Sequence, residues 1–240
     1  MNAVVRMTVI VVALFLAMKV IVLIASGTRL RGLALVAFLT SFGMRPSLFT
    51  RRAPRDCGAL TRRAAVNIGI GAALIALARR FESPILALAA LSLILHFGVI
   101  NLVAAFWRRL GFAADATFHA PLRAKSLSEF WGRRWNAGFS EMVALTVQRP
   151  LRERIGETGA IVTAFAVSGL LHELAISVPV RAGYGLPTLY FLLHGVLVAA
   201  EKRSGRVPGT LATLAWLALP APLVFHPPFI RGVIWPLIGS

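Results

Sequence analysis

Apolar residues in this chain fall into long blocks instead of alternating with polar ones. The blocks cover residues 3–25, 33–48, 64–78, 84–106, 160–180, 185–200, 210–225 and 229–239. A helix that crosses a bilayer needs about 20 residues, so three of these blocks are short for a full crossing. The pattern predicts an all-α integral membrane protein, a polytopic helical bundle of about six to eight membrane segments.

Composition supports the membrane interpretation. The 240 residues are 58% hydrophobic, whereas soluble proteins are roughly 45–50% apolar. A net charge of +17 would suggest nucleic acid as a partner of a soluble protein. Here the arginines lie between the apolar blocks, which is typical of membrane proteins. We therefore expect a single domain over residues 1–240, with the lipid bilayer and not nucleic acid as its environment.

Basic residues concentrate in three loops, at 45–63, 107–159 and 201–209. The positive-inside rule places all three on the cytoplasmic side, and the blocks supply two crossings between each pair. The first block is longer than the apolar part of a signal peptide and contains Lys19, so we expect a retained span. The predicted location is a bacterial inner (cytoplasmic) membrane.

The segment 126–148 predicts an amphipathic helix at the membrane interface. Ser126 and Glu129 form a capping box at its start, and Arg149-Pro150 is expected to end it. At helical spacing, Trp131 and Trp135 fall on an apolar stripe, beside a polar stripe with Arg133 and Asn136. An aromatic anchor at the headgroups and a wall of a functional site both fit this pattern.

His172 and Glu173 are ionisable residues inside the apolar block 160–180. At 1.5 Å per residue, His172 lies roughly 18 Å along the helix from Ala160, near the bilayer midplane. Burying such groups in hydrocarbon is costly, so they indicate a functional site. The alternative is a neutral imidazole bonded within the bundle. Glu173 points about 100° away around the helix and is expected to bond a neighbouring span.

Other chemistries are weighed against the spacing. A zinc protease helix needs a second histidine where Ile176 stands. Ser168 lies one turn before His172 and is a candidate nucleophile, but Ala166 breaks the Gly-x-Ser-x-Gly pattern, and a hydroxyl bonded to its own helix is more common. His194 is a second polar lining residue or a packing residue. Cys57 is the sole cysteine, and no metal is predicted.

Four ordered motifs then indicate a family. They are Ser128-Glu-Phe-Trp-Gly-Arg-Arg-Trp-Asn136, Gln148-Arg-Pro-Leu151, Ser168-Gly-Leu-Leu-His-Glu-Leu174, and Leu193-His-Gly-Val196 followed by Glu201. This chain resembles the wax synthase branch of the membrane-bound O-acyltransferases (MBOAT), closely over about residues 120–201. It is short for that family.

The resemblance implies an acyltransferase that uses acyl-CoA to esterify a lipophilic alcohol, with wax ester synthesis as the expected reaction. The family's histidine corresponds to His172, as general base, and its asparagine to Asn136, which either orients His172 or stabilises the oxyanion. No cofactor is expected beyond acyl-CoA as co-substrate. The residues expected to bind substrate, with the arginines on the CoA phosphates, are Phe130, Trp131, Arg133, Arg134, Trp135, Ser168, Glu173 and His194.

Three alternatives remain open at this point. The same chemistry could use a short acyl donor, or a sterol or terpenoid alcohol. A proton-coupled transporter could relay protons through His172, Glu173 and His194, although no inverted repeat of interrupted spans is present. A scaffold that binds partners through its basic loops would leave the buried His-Glu pair without a purpose. A homodimer is compatible with each.

Overall fold

Helices form the secondary structure of the computed structural model, which describes residues 1–50 and 57–239. In chain order they are α1 (Ala3–Ser26), α2 (Gly32–Thr40), α3 (Gly58–Arg80), α4 (Pro84–Ser92), α5 (Ile100–Arg109), α6 (Leu127–Glu129), α7 (Ala137–Val143), α8 (Arg149–Val180), α9 (Leu186–Ser204), α10 (Thr210–Ala218), α11 (Ala221–Val224), α12 (Pro227–Phe229) and α13 (Trp235–Ile238). Wider π-helical turns occupy Leu93–Val99, Phe130–Arg134, Ala144–Gln148 and Ile230–Ile234, and 3₁₀ turns occupy Pro46–Thr50 and Pro121–Arg123. The all-α prediction is confirmed for these residues. Arg51, Arg52 and Arg55 of the predicted basic loop 45–63 lie outside them.

Within the described residues, four helical stretches are long and apolar enough to cross a membrane. They are Ala3–Ser26, Gly58–Arg80, Pro84–Arg109 and Ala137–Val180. A pair bent by 70°, Thr210–Val224 and Pro227–Ile238, gives a fifth if it counts as one span. The protein is thus a helical integral membrane protein. The six to eight segments predicted from the apolar blocks are not confirmed, partly because the block at 33–48 forms only the nine-residue α2.

The helices form two compact units. The motif unit comprises Met1–Met18 and His119–Val233, and the other unit comprises Lys19–Phe118 with the residues from Ile234 onward. Arg6 fixes the start of α1 within the motif unit, since its Nε and Nη2 donate to the Pro179 carbonyl near the end of α8, at 2.8 and 2.5 Å. These bonds satisfy a carbonyl of the last helical turn, to which no N–H of the same helix donates.

Lys19 has a structural task in the second unit. Its side chain is fully buried, and its Nζ donates to the carbonyls of Phe38 and Gly43 at 2.7 and 2.5 Å. The ammonium also lies 4.0 Å from the centre of the Phe38 ring. A cation near the C-terminal carbonyls of a helix is favourable because the helix dipole is negative there. The lysine that interrupts the first apolar block therefore binds carbonyls at the C-terminal end of α2.

The predicted helix over 126–148 is broken in the structure. The capping box begins as expected, since Ser126 Oγ accepts from the Glu129 N–H at 3.0 Å. The π-helical turn ends at Arg134, Trp135 is extended with φ −100° and ψ 118°, and Asn136 is left-handed with φ 45° and ψ 57° before α7 begins. Asparagine tolerates the left-handed conformation better than most residues, so the break forms without glycine. The two stripes expected from an unbroken helix therefore do not form.

Arg149-Pro150 does not end a helix, contrary to the sequence prediction. The chain passes from the π-helical turn Ala144–Gln148 directly into α8, and Gln148 and Arg149 are both in the helical conformation. Pro150 therefore lies inside a continuous helical path, directly after that wider turn. The interruption comes later, at Gly156, whose φ of 73° and ψ of 171° are accessible to glycine. The continuous part of α8 therefore starts close to the predicted block 160–180.

Two glycines bring α8 and α9 into close antiparallel contact. A Cβ added to Gly169 would lie 2.9 Å from the Cα of Thr188, and one added to Gly195 would lie 2.8 Å from the Cβ of Phe165. Small residues at such positions let backbones approach, which is how helices associate in membranes without a hydrophobic driving force. The α8–α9 pair forms the frame of the motif unit.

Gly169→Ala should destabilise the protein, because the new methyl group meets the Thr188 backbone, which cannot rotate away. Overpacking of this kind costs about 1–3 kcal/mol, more than the roughly 1 kcal/mol that alanine gains over glycine in a helix. Thermal unfolding in detergent measures the change. Gly69→Ala in α3 is the matched control, since its Cβ meets nothing within 4 Å. Its melting temperature should rise or hold; a fall equal to that of Gly169→Ala would contradict the packing argument.

Candidate active site

A cavity in the motif unit brings together five of the residues predicted for the site. They are Trp131, Trp135, Asn136, Ser168 and His172. The cavity measures about 270 Å³, near the lower end of ligand pockets, which run from about 300 to 1,000 Å³. Both segments that the sequence singled out, the aromatic motif and α8, thus contribute to the wall of one cavity.

His172 is held by its own helix. Its Nδ1 lies 2.7 Å from the Ser168 carbonyl oxygen, and a carbonyl can only accept, so this contact places the ring proton on Nδ1. Nε2 then carries the free lone pair. Among the residues that the structure describes, none makes a hydrogen bond with Nε2. The ring packs on Phe191, with 4.1 Å between the ring centres, and its orientation is fixed.

Asn136 lines the cavity from the break between the π-helical turn Phe130–Arg134 and α7. Its Oδ1 accepts from the Phe139 N–H at 3.3 Å and caps α7. The side-chain oxygen is thus engaged, while the amide NH₂ makes no hydrogen bond with any described residue. A helix break at this position therefore gives the cavity a neutral donor next to the helix that carries His172.

The cavity follows the facing surfaces of α8 and α9. Ile161, Ser168 and His172 lie at helical spacing on one face of α8, and Phe191, Val198 and Lys202 lie on the opposing face of α9. Ile161 and His172 are eleven residues apart on α8, and Phe191 and Lys202 are eleven residues apart on α9. Each separation is about 16 Å at 1.5 Å per residue. Because the helices are antiparallel, His172 lies at one end of the cavity and Lys202 at the other.

Ser168 lines the cavity, but its hydroxyl does not contact His172. Oγ donates to the Ala164 carbonyl at 2.9 Å, within the same helix. The imidazole contacts the serine carbonyl instead. This arrangement matches the common back-bonding of serine in helices and gives no geometric support to a serine nucleophile.

Glu173 lies outside the cavity and caps α9. Its carboxylate accepts from the Gly185 N–H at 2.9 Å, the Thr188 N–H at 3.3 Å and the Thr188 hydroxyl at 2.9 Å. A carboxylate is favourable at a helix N-terminus, where free N–H groups and the positive end of the dipole meet. The residue thus bonds a neighbouring helix, as its position around α8 indicates, and the cavity wall does not include it.

Arg134 and Arg133 also lie outside the cavity. Arg134 forms an ion pair with Glu129 at 2.7 Å and donates to the carbonyls of His119 and Ala120 at 3.2 and 3.1 Å. The Lys125 N–H and this guanidinium together hold the pKa of the Glu129 carboxyl below its ordinary value, so the pair is ionised at neutral pH. Arg133 is exposed to the surroundings.

Phe130 and His194 support the wall from behind. Phe130 is buried and stacks on Trp135, with ring centres 5.6 Å apart. His194 is fully buried, with Nδ1 2.9 Å from the Tyr190 carbonyl and Nε2 3.2 Å from the Trp216 carbonyl. The histidine therefore bridges α9 and α10, and it touches the cavity only through Trp131, 5.5 Å away between ring centres.

Several wall residues escape the sequence analysis. They are Ser128, Gly132, Phe139, Ser140, Glu141, Val143, Ala144, Gln148, Arg149, Ile161, Ala164, Phe165, Phe191, Val198 and Lys202. Arg149 and Lys202 could have been found as candidates, because Arg149 lies inside the quoted motif Gln148-Arg-Pro-Leu151 and Lys202 directly follows the quoted Glu201. The residues of α7 could not, because their side chains face the site only through the break at Asn136.

The part of the chain that the structure describes holds no group of three His, Cys, Asp or Glu side chains suited to a metal ion.

Part of the chain is similar to known membrane proteins. The model of the "Membrane bound O-acyl transferase family" matches residues 114–193. A long-chain-alcohol O-fatty-acyltransferase of Simmondsia chinensis is 39% identical over 101 residues, covering 38% of this chain and 29% of the relative. Two from Arabidopsis thaliana, named probable long-chain-alcohol O-fatty-acyltransferases 7 and 2, are 32% and 34% identical over 146 and 141 residues. Those matches cover 51% of this chain and 42% and 41% of the relatives.

Residues 114–193 match the membrane bound O-acyl transferase family, and the resemblance to its wax synthase branch drawn from the motifs is confirmed. The chain spans well under half the length of the relatives it matches. The matched residues include Asn136 and His172.

Glu173→Ala should weaken folding and leave the affinity for an acyl donor unchanged, because the carboxylate serves the N-terminus of α9. Losing a cap of this kind costs about 0.5–2 kcal/mol. Thermal unfolding and the KM of acyl transfer measure the two effects. Glu153→Ala is the control, since Glu153 is exposed on the same helix. A raised KM at unchanged stability would return Glu173 to the substrate site.

Proposed function

We propose that this protein transfers an acyl group from acyl-CoA to the hydroxyl of a lipophilic alcohol and forms a wax-type ester. One observation carries the proposal: His172, with Nε2 unbonded among the described residues, shares a cavity with the free amide donor of Asn136. The names of the relatives, long-chain-alcohol O-fatty-acyltransferases, support a long acyl chain and a long-chain alcohol.

The chemistry requires a base for the alcohol. His172 Nε2 accepts the hydroxyl proton while the alcohol oxygen attacks the carbonyl carbon of the thioester. The tetrahedral intermediate then collapses, the carbon–sulfur bond breaks, and the imidazolium returns the proton to the departing thiolate. The products are the ester and free CoA, so no covalent acyl-enzyme is needed.

The oxyanion of that intermediate needs a donor. Asn136 supplies one through its NH₂, because its oxygen is held by the cap of α7 and cannot turn toward the substrate. The Ser168 carbonyl already sets the orientation of His172, so this second task need not fall to Asn136. These contacts favour oxyanion stabilisation over orientation of the histidine.

We place the loops 45–63, 107–159 and 201–209 on the cytoplasmic side, where acyl-CoA is soluble. The cavity end at Lys202 then opens toward that side, and His172 lies deeper. The bacterial inner membrane expected from the sequence finds no support in the comparisons, because the relatives named above are from plants.

The contacts disfavour a proton relay. Glu173 caps α9, and both ring nitrogens of His194 lie beside backbone carbonyls, one of which a neutral imidazole can bond. Neither residue lines the cavity that contains His172. Transport of protons would need these groups to exchange partners through a continuous polar path, and the described residues provide apolar side chains between them. Acyl transfer uses His172 as it stands.

His172→Ala should abolish most acyl transfer, because no other described side chain can take the proton at that position. General-base catalysis contributes about 10²–10⁴-fold, so kcat should fall by at least that range. Release of CoA thiol with hexadecanoyl-CoA and hexadecanol measures the rate. A normal melting temperature is the control, and a correctly folded variant with wild-type kcat would remove His172 from the mechanism.

Asn136→Asp separates the cap of α7 from the donor. The aspartate keeps an oxygen for the Phe139 N–H, so stability should hold, while the lost NH₂ should lower kcat by about 10²–10³-fold. Asn136→Ala is the comparison: it should lose both activity and stability. If Asn136→Asp keeps its rate, the oxyanion donor lies elsewhere.

A further inference from the structure

The cavity wall contains two cations that the sequence does not assign to the site. We propose that Arg149 and Lys202 bind the phosphate groups of the acyl-CoA donor. This inference rests on the proposed function and assigns the nucleotide end of its substrate to a particular end of the cavity. It also moves the phosphate site away from Arg133 and Arg134.

Arg149 is a free cation in the cavity wall. Its side chain is exposed, and it makes no hydrogen bond or ion pair with any residue in the described ranges 1–50 and 57–239. Its planar guanidinium can bind phosphate oxygens in pairs, which a lysine cannot. Because no ion pair has to break first, Arg149 can accept an anionic ligand directly.

Lys202 is also a wall residue, but Glu157 holds it. The Lys202 Nζ lies 3.2 Å from Glu157 Oε1, and the same carboxylate lies 3.5 Å from Arg152. All three side chains are largely exposed, so these pairs are weak and readily exchanged. A phosphate group would compete with Glu157 for Lys202.

The positions of the two ends fit an extended donor. His172 stands at one end of the α8–α9 rows and Lys202 at the other, about 16 Å along the helix. In acyl-CoA the pantetheine arm separates the thioester from the phosphates in the same way. A donor with its thioester at His172 therefore directs its phosphates toward Lys202, and we infer that Arg149 is the second cation of the same wall that meets them.

The remaining charges in this region are consistent with an anion site of moderate strength. Glu141 also lines the cavity, and Glu157 adds a second carboxylate close to Lys202. Both would repel a phosphate. Removing Glu157 should therefore tighten binding of the donor, a result opposite in sign to the loss of either cation.

The alternative site at Arg133 and Arg134 is disfavoured by contacts. Arg134 already binds Glu129 and two backbone carbonyls, so its donors are in use. Arg133 lies outside the cavity wall. Neither guanidinium faces the path that leads to His172.

The test compares two donors with the full-length protein in detergent: hexadecanoyl-CoA and S-hexadecanoyl-pantetheine, which lacks every phosphate. Arg149→Gln and Lys202→Gln should each raise the KM for hexadecanoyl-CoA by about tenfold, the effect of losing one charge-assisted hydrogen bond. The KM for the pantetheine donor should not change. Glu157→Gln should lower the KM for hexadecanoyl-CoA alone.

Arg154→Gln is the matched control, since Arg154 is an exposed arginine of α8 outside the cavity wall. Arg133→Gln tests the rival site. The proposal is overturned if the wild-type protein uses both donors equally, if Arg149→Gln and Lys202→Gln leave both KM values unchanged, or if only Arg133→Gln shifts the KM.

Calorimetric titration with CoA itself separates this inference from the acyltransferase function. If no ester forms with any alcohol but CoA binds and Arg149→Gln weakens that binding about tenfold, the phosphate site stands and the function fails. If ester forms but the variants bind CoA as the wild type does, the function stands and the phosphate site fails. Absence of both binding and transfer overturns both.

Discussion

The close packing of α8 against α9 is the constraint on which the site depends. Gly169 and Gly195 let the two backbones approach, and the facing residues then enclose a cavity with His172 at one end. A larger side chain at either glycine would separate the helices, and the imidazole would lose the Phe191 ring that holds it. The position of the His172 imidazole thus depends on two glycines and a phenylalanine, which have no chemical role in the site.

Two carboxylates of the motif unit serve helix starts. Glu173 satisfies the start of α9, and Glu201 accepts from the N–H groups of Leu127 and Ser128 at 3.0 and 2.9 Å. A bilayer offers no water to free helix ends, so an internal carboxylate is an efficient partner for them. This use explains why Glu173 follows the candidate base in sequence yet contributes nothing to the cavity wall.

The break at Asn136 joins structure to chemistry. Asn136 follows the π-helical turn and has a left-handed backbone conformation. Its side-chain oxygen caps α7, and its NH₂ makes no hydrogen bond with a described residue. The same break turns the next helix so that Phe139 and Arg149 reach the cavity. A regular helix over this segment would have directed these residues around the whole circumference, and no enclosed wall would form.

The sequence by itself determined the helical class, the membrane setting and the family resemblance, because these follow from hydrophobic blocks and motif order. It also selected His172 and Asn136 as candidates, and the structure places both in one cavity wall. It did not determine the number of spans, since block length does not say which helices bend. Nor could it place Arg149 and Lys202 in the wall or remove Arg134, because those positions follow from the break at Asn136 and the antiparallel register of α8 and α9. Contacts between residues far apart in sequence decide both, and only the tertiary structure contains them.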